Sequence, residues 1–132
     1  MATRYWLLKT EPSTYSFETL LKQGKTNWND IRNYQARNFL REIKKGDLAL
    51  IYHSGDDKSV VGVAKVTREA YPDIDPEGGD WVQVDLEKVA PIQQPVTLAA
   101  MKAAPSLKRL LLIKQSRLSA MPVTKTEYDT IL

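Results

Sequence analysis

Cysteine is absent from this chain, and histidine occurs once, as His53. The first absence excludes a disulfide framework, a thiolate nucleophile and a cysteine zinc site outright. The second leaves metal catalysis without the converging ligands it needs, so neither a metal nor a cofactor is expected. The 6 glycines are scattered, and neither G-x-G-x-x-G nor G-x-x-x-x-G-K-[ST] occurs, which removes the usual phosphate cradles of nucleotide-hydrolysing enzymes. No apolar run approaches the roughly 20 residues of a membrane span, and the first residues have no charged-then-apolar leader. The expectation is a soluble protein of the cytoplasm.

Acidic residues are missing from one long stretch. Residues 88–126 hold seven basic side chains and no acidic one, whereas residues 1–87 set 12 basic against 14 acidic. The net charge of +3 is too modest for a dedicated DNA clamp. Lys88, Lys102, Lys108, Arg109, Lys114, Arg117 and Lys125 would attract a phosphate backbone if folding gathered them on one face, and would otherwise keep a surface solvated. Sequence leaves that choice open, and it leaves the oligomeric state open too.

What is present is enough for one domain, residues 1–132, with an apolar share of 42% that rules out a disordered chain. Residues 4–9 read as a strand. Ser16 can cap a helix over residues 17–23 that turns Leu20 and Leu21 inward, and Gly24 can close it. Residues 27–30 read as an aromatic turn. Ala36, Phe39, Leu40 and Ile43 share one face of a helix over residues 34–43. A strand over residues 47–54 and a valine-rich partner over 59–68 make a hairpin. Residues 71–80 form an acidic loop, and residues 81–89 alternate as a strand wet on one face. Thr97 can cap a helix to Lys102, residues 107–113 suit a core in either conformation, and Thr124 with Glu127 matches a capping box opening a last helix. The class is α+β: a mixed, mostly antiparallel sheet, possibly curling toward a barrel.

A serine–histidine–carboxylate triad is disfavoured, because His53 and Ser54 are strand neighbours that face opposite ways and no nucleophile elbow is present. What remains is a set of aromatic and amide side chains: Trp6, Trp28, Asn29, Asn33, Tyr34, Tyr52 and His53, with Lys9 and Arg32 nearby in sequence. A flat heterocycle is held by stacking on such rings and identified by polar groups on its edge. Most tryptophans in strands and turns belong to a core, and from the residues alone that is the favoured reading of Trp6 and Trp28.

Tyr5 through Pro12 with Tyr15-Ser16, then Trp28 and the block Ile31-Arg32-Asn33-Tyr34-Gln35-Ala36-Arg37-Asn38, resemble the EVE-domain family. Gly46-Asp47 leading to Tyr52-His53-Ser54, the Val61-Gly62-Val63 strand and Arg117-Leu118-Ser119 before Pro122-Val123 agree with it in order. The resemblance implies a PUA-like fold, related to the YTH and ASCH domains: a curved mixed sheet or pseudo-barrel with peripheral helices. It implies a pocket for a nucleobase, often modified, in DNA or RNA. Carried over by position, Trp28 would be an aromatic wall. Trp6, Lys9 and Thr10 would form the first-strand side, Arg32, Asn33 and Tyr34 the signature block, and Tyr52, His53 and Ser54 the second-strand side. Arg117 would reach phosphate.

The reading is therefore non-catalytic binding of a nucleic acid through one base. A hydrolase of the ASCH type acting on a modified nucleobase, with Lys9, Thr10 and Glu11 as its groups, is one alternative. A small-ligand or peptide module is another.

Overall fold

The computed structural model describes residues 3–29, 31–115 and 117–132. Six strands form one sheet in the order β2-β5-β4-β3-β1-β6, with β1 at Tyr5–Thr10, β2 at Lys25–Trp28, β3 at Leu48–His53, β4 at Ser59–Pro72, β5 at Val82–Thr97 and β6 at Ala120–Val123. β1 and β3 run parallel, and every other neighbouring pair runs antiparallel. Helices α1 (Phe17–Gln23), α2 (Tyr34–Glu42), α3 (Leu98–Ala103) and α4 (Leu111–Lys114) are inserted between strands, and α5 (Lys125–Ile131) follows the last one. This is the α+β class expected.

The central strands are enclosed on both faces. Trp6, Leu7 and Leu8 of β1 and Ala49, Leu50 and Ile51 of β3 have no exposed surface. Runs without alternation are stable only where both sides of a sheet are covered. α2 supplies part of that cover through Ala36, Leu40 and the capping Ile43. Trp6 therefore belongs to the core and not to a ligand pocket. Its indole N–H donates to Asp47 Oδ2 at 2.9 Å, and Asp47 also accepts from the backbone N–H of Arg4 at 3.1 Å and of Lys44 at 2.9 Å. A buried indole needs such an acceptor, and this one also ties the start of β1 to the end of α2.

The caps form as the sequence predicts: Ser16 and Gly24 bound α1, Thr97 caps α3, and Thr124 with Glu127 makes a complete capping box at α5. Three readings change, and one open segment is resolved. The aromatic turn is an edge strand up to Trp28, with Asp30 outside the described residues; so short a segment shows no alternation, and its pairing with β5 decides its form. Residues 107–113 divide between a 3₁₀ turn, Pro105–Leu107, and α4. β4 takes Tyr71 and Pro72 from the expected loop, and β5 runs on to Thr97. β6 was not read as a strand at all. The β4–β5 ladder shifts register four times, and each shift bends the sheet.

Hydrogen-bond alternation fixes how the two edges look. Lys9 N–H donates to Ser119 O, so in the β1–β6 ladder the pairs 7/121 and 5/123 exchange bonds and Pro122 faces outward. The N–H that proline lacks is the one an exposed edge would have offered. At the opposite edge, Lys88 N–H donates to Gly24 O, so 26/86 and 28/84 are the bonded pairs and the backbone groups of Asn27 point away from β5.

Candidate functional site

A cavity of about 580 Å³ opens where β2 meets the end of β1 and the residue before β6. Consecutive residues of β2 and its exit, Thr26 to Asn29, line it, as happens when a cavity meets a strand edge-on rather than on one face. Trp28 is among the lining residues. The residue is only 6% exposed, and Tyr15 packs edge-on against it at 6.0 Å and 89°. Lys9, Thr10 and Ser119 close the opposite side, with Thr14 and Ile31 at the remaining walls.

Most polar groups on this wall are already committed. Thr10 Oγ1–H donates to Tyr15 O at 2.7 Å, leaving its oxygen able only to accept from a ligand. Glu11 Oε1 accepts from the backbone and hydroxyl of Ser13 at 3.3 and 3.2 Å. Asn27 Nδ2 donates to Gln83 Oε1 at 2.9 Å, and Gln83 Nε2 donates to Pro72 O at 3.0 Å. A carbonyl can only accept, so that relay fixes both amide orientations. Asn27 thus meets the cavity through its backbone. Lys9 Nζ lies 5.8 Å from the centre of the Tyr52 ring, and burial lowers its pKa below the ordinary lysine value.

Of the expected site residues, Lys9, Thr10 and Trp28 come together here. The others are elsewhere. Tyr52 is buried beneath Lys9. His53 Nε2 accepts the Phe17 N–H at 2.9 Å, so its proton sits on Nδ1 and is donated to Asp57 at 3.0 Å. Ser54 donates twice to Thr10 O, from its N–H at 2.9 Å and its hydroxyl at 3.3 Å. These two hold the start of α1 and the end of β1 in place behind the cavity. Arg32 clamps the acidic loop through Asp73 and Asp75, both at 2.9 Å, and the first of these bonds raises its pKa most. Tyr34 is 68% exposed and stacks on Trp81 at 5.2 Å. Asn33 caps α2 by accepting the Ala36 N–H. Asn33 and Arg117 line a separate groove of about 350 Å³.

Sequence reasoning missed Tyr15, Thr26, Asn27 and Ser119 as lining residues. Tyr15 and Ser119 stood within the recognised pattern, and Thr26 and Asn27 are identified only by strand pairing. Among the described residues, no group of three or more histidine, aspartate or glutamate side chains converges on a metal position. A larger groove of about 770 Å³, between β6 and the start of α5, has a more apolar lining that includes Tyr5, Leu111, Pro122 and Val123. It lacks the tryptophan wall and the sheet-edge backbone groups of the smaller cavity.

A family model described as the EVE domain matches residues 4–132. The chain belongs to the EVE-domain family. This EVE domain is 34% identical to human thymocyte nuclear protein 1 over 162 aligned positions, covering 97% of this chain and 72% of that protein. The human protein has been solved in complex with DNA containing 5-methylcytosine, and that structure matches with a TM-score of 0.89 at 31% identity, over 98% of this chain and 95% of the other. A hypothetical protein from Leishmania major matches with a TM-score of 0.93 at 38% identity, over 98% and 92%. An ASCH protein from Zymomonas mobilis matches at 14% identity with a TM-score of 0.60, over 96% and 95%. At that distance the likeness concerns the fold alone, which is PUA-like. Among the described residues no helix is long and apolar enough to cross a membrane.

Proposed function

We propose that this EVE domain holds one nucleobase of DNA or RNA, in a modified form such as a substituted cytosine, without performing chemistry on it. The observation that carries the reading is the cavity at the gap between β2 and β1, walled by Trp28 and met by the edge of Asn27. A volume of about 580 Å³ lies within the range of roughly 300–1,000 Å³ usual for small-ligand sites. Trp28 stacks on the ring, the Asn27 backbone pair and the Thr10 oxygen meet its polar edge, and Arg117 meets phosphate. Ordering by family supports the same ligand class, since the human relative was solved with 5-methylcytosine DNA. An extruded base costs a few kcal/mol to unstack, which stacking in the cavity offsets.

The hydrolytic alternative has one favourable observation, the lowered pKa of Lys9. Against it, the Thr10 proton and a Glu11 oxygen are already bonded within the protein. We place the protein's work inside the cell, in the cytoplasm as the sequence suggests or in the nucleus that the human relative's name carries.

The test is a titration of short single-stranded oligonucleotides carrying 5-methylcytosine or plain cytosine, in DNA and RNA, against wild type and Trp28→Leu. Removing a stacking partner worth about 1–3 kcal/mol lowers affinity about 5- to 150-fold. Thermal unfolding of Trp28→Leu followed by circular dichroism shows whether that variant is folded before its affinity is read. Equal binding across the panel, or Trp28→Leu binding as wild type, refutes the reading.

A further inference from the structure

We propose that the groove beside the cavity is a subsite for the phosphodiester flanking the seated base, so that the ligand is a polynucleotide strand and not a free nucleoside. This rests on the base-cavity reading above. The groove is lined by Asn33, Gln35, Lys114, Gln115, Arg117 and Leu118. Its walls are continuous with those of the cavity. Ile31 lines the cavity and Asn33 the groove, while Ser119 lines the cavity and Leu118 the groove. Two residues of chain span at most about 7 Å, so the sites adjoin along both walls.

Charge supports the same assignment. Several cations elsewhere on the fold are neutralised or diverted: Arg32 by Asp73 and Asp75, Lys44 by Glu69, Lys125 by Asp129, and Arg41 by the carbonyl of Asp80. Among the described residues, Lys114 and Arg117 meet no carboxylate. The basic stretch over residues 88–126 is therefore not gathered onto one face. Arg109 and Lys125 line the larger groove, Lys88 reaches the carbonyl of Leu21, and Lys114 and Arg117 are the pair beside the cavity. The side-chain amides of Gln35 and Gln115 add N–H donors between them, suited to phosphate oxygens. A base in the cavity carries its sugar out through the opening, and the next charged group of the strand is a phosphate. The groove is where that phosphate finds two cations without competing carboxylates.

The experiment compares 5-methyl-2′-deoxycytidine with a short single-stranded DNA carrying one central 5-methylcytosine. Both are titrated between about 50 and 200 mM salt against wild type, the double variant Lys114→Gln/Arg117→Gln, and Trp28→Leu. Both groove side chains are exposed, so their neutralisation leaves the fold intact. Two lost phosphate contacts flatten the log–log salt slope for a single strand by about 1.4, so over the fourfold change in salt wild type loses about sevenfold more affinity than the double variant. Nucleoside affinity stays unchanged in the double variant. Oligonucleotide binding that keeps both its affinity and its salt slope in that variant overturns the groove assignment. Nucleoside affinity in Trp28→Leu equal to that of wild type instead overturns the cavity reading, and leaves the groove standing on its salt slope.

Discussion

Asp47→Ala removes one carboxylate and strands three donors at once. The indole N–H of Trp6 is fully enclosed and loses about 1–3 kcal/mol when left without a partner. The N–H groups of Arg4 and Lys44 are partly reached by water, so each adds about 1 kcal/mol, for a total of about 3–5 kcal/mol. With an unfolding entropy of about 2.1 cal/mol/K per residue, a chain of 132 residues loses about 3.6 °C in Tm per kcal/mol, hence about 11–18 °C. Asp47→Asn separates the contributions. Its one carboxamide oxygen can take the Oδ2 position, which serves Trp6 and Lys44, and forfeit only Arg4. The expected loss is then about 1–2 kcal/mol, or about 4–7 °C. Thermal unfolding followed by circular dichroism near neutral pH reads both variants. An alanine variant within about 1 kcal/mol of wild type, or an asparagine variant as damaged as alanine, refutes the claim that this carboxylate holds the indole in the core.

Three further outcomes are expected. Gly62→Ala drives a Cβ into the Phe17 ring, so Phe17 and the start of α1 must shift; overpacking costs about 1–3 kcal/mol, and base affinity falls with it because Tyr15 precedes that helix. A stability measurement unchanged from wild type would show that the ring moves freely. Burial raises the phenols of Tyr52, Tyr71 and Tyr128 above their usual value near 10, so an unfolded chain releases these protons first; their contribution is intact below pH 10 and is lost as pH climbs through the raised range. Lys9, lowered by burial, acts in the opposite sense below about 10.5, so Tm should begin to fall only above about pH 10, and less steeply in Tyr71→Phe. Arg32→Lys cannot bridge Asp73 and Asp75 with one fork, so hydrogen exchange at Glu77 and Gly78 should quicken while base binding stays. Exchange at the wild-type rate would deny the clamp its role.

Features fixed by neighbours in sequence were the legible ones. Ser16, Thr97 and Thr124 announce helix starts because a cap acts over three residues. The spacing of Ala36, Leu40 and Ile43 likewise contains the buried face of α2. What escaped was pairing between distant segments: β2 and β6 are four residues each, and neither alternates enough to reveal a strand before its partner is known. The site followed the same division. Lys9, Thr10 and Trp28 could be taken from the family pattern, but a pattern does not separate residues that line a cavity from those that brace it. His53 and Ser54 serve the backbone of Phe17 and Thr10, and Arg32 serves a loop over forty positions away in sequence. Trp6 answers to Asp47, a partner that no local window contains.

The missing donor at Pro122 makes the two rims of the sheet chemically unequal. A stray strand arriving at that rim finds a proline where it needs an N–H, whereas at Asn27 it still finds both a donor and an acceptor. Growth of a fibre by head-to-tail strand addition requires each copy to be extendable on both sides. This molecule offers one such side, at the mouth where its ligand is to sit, so edge association ends at a single pairing and an occupied cavity removes even that.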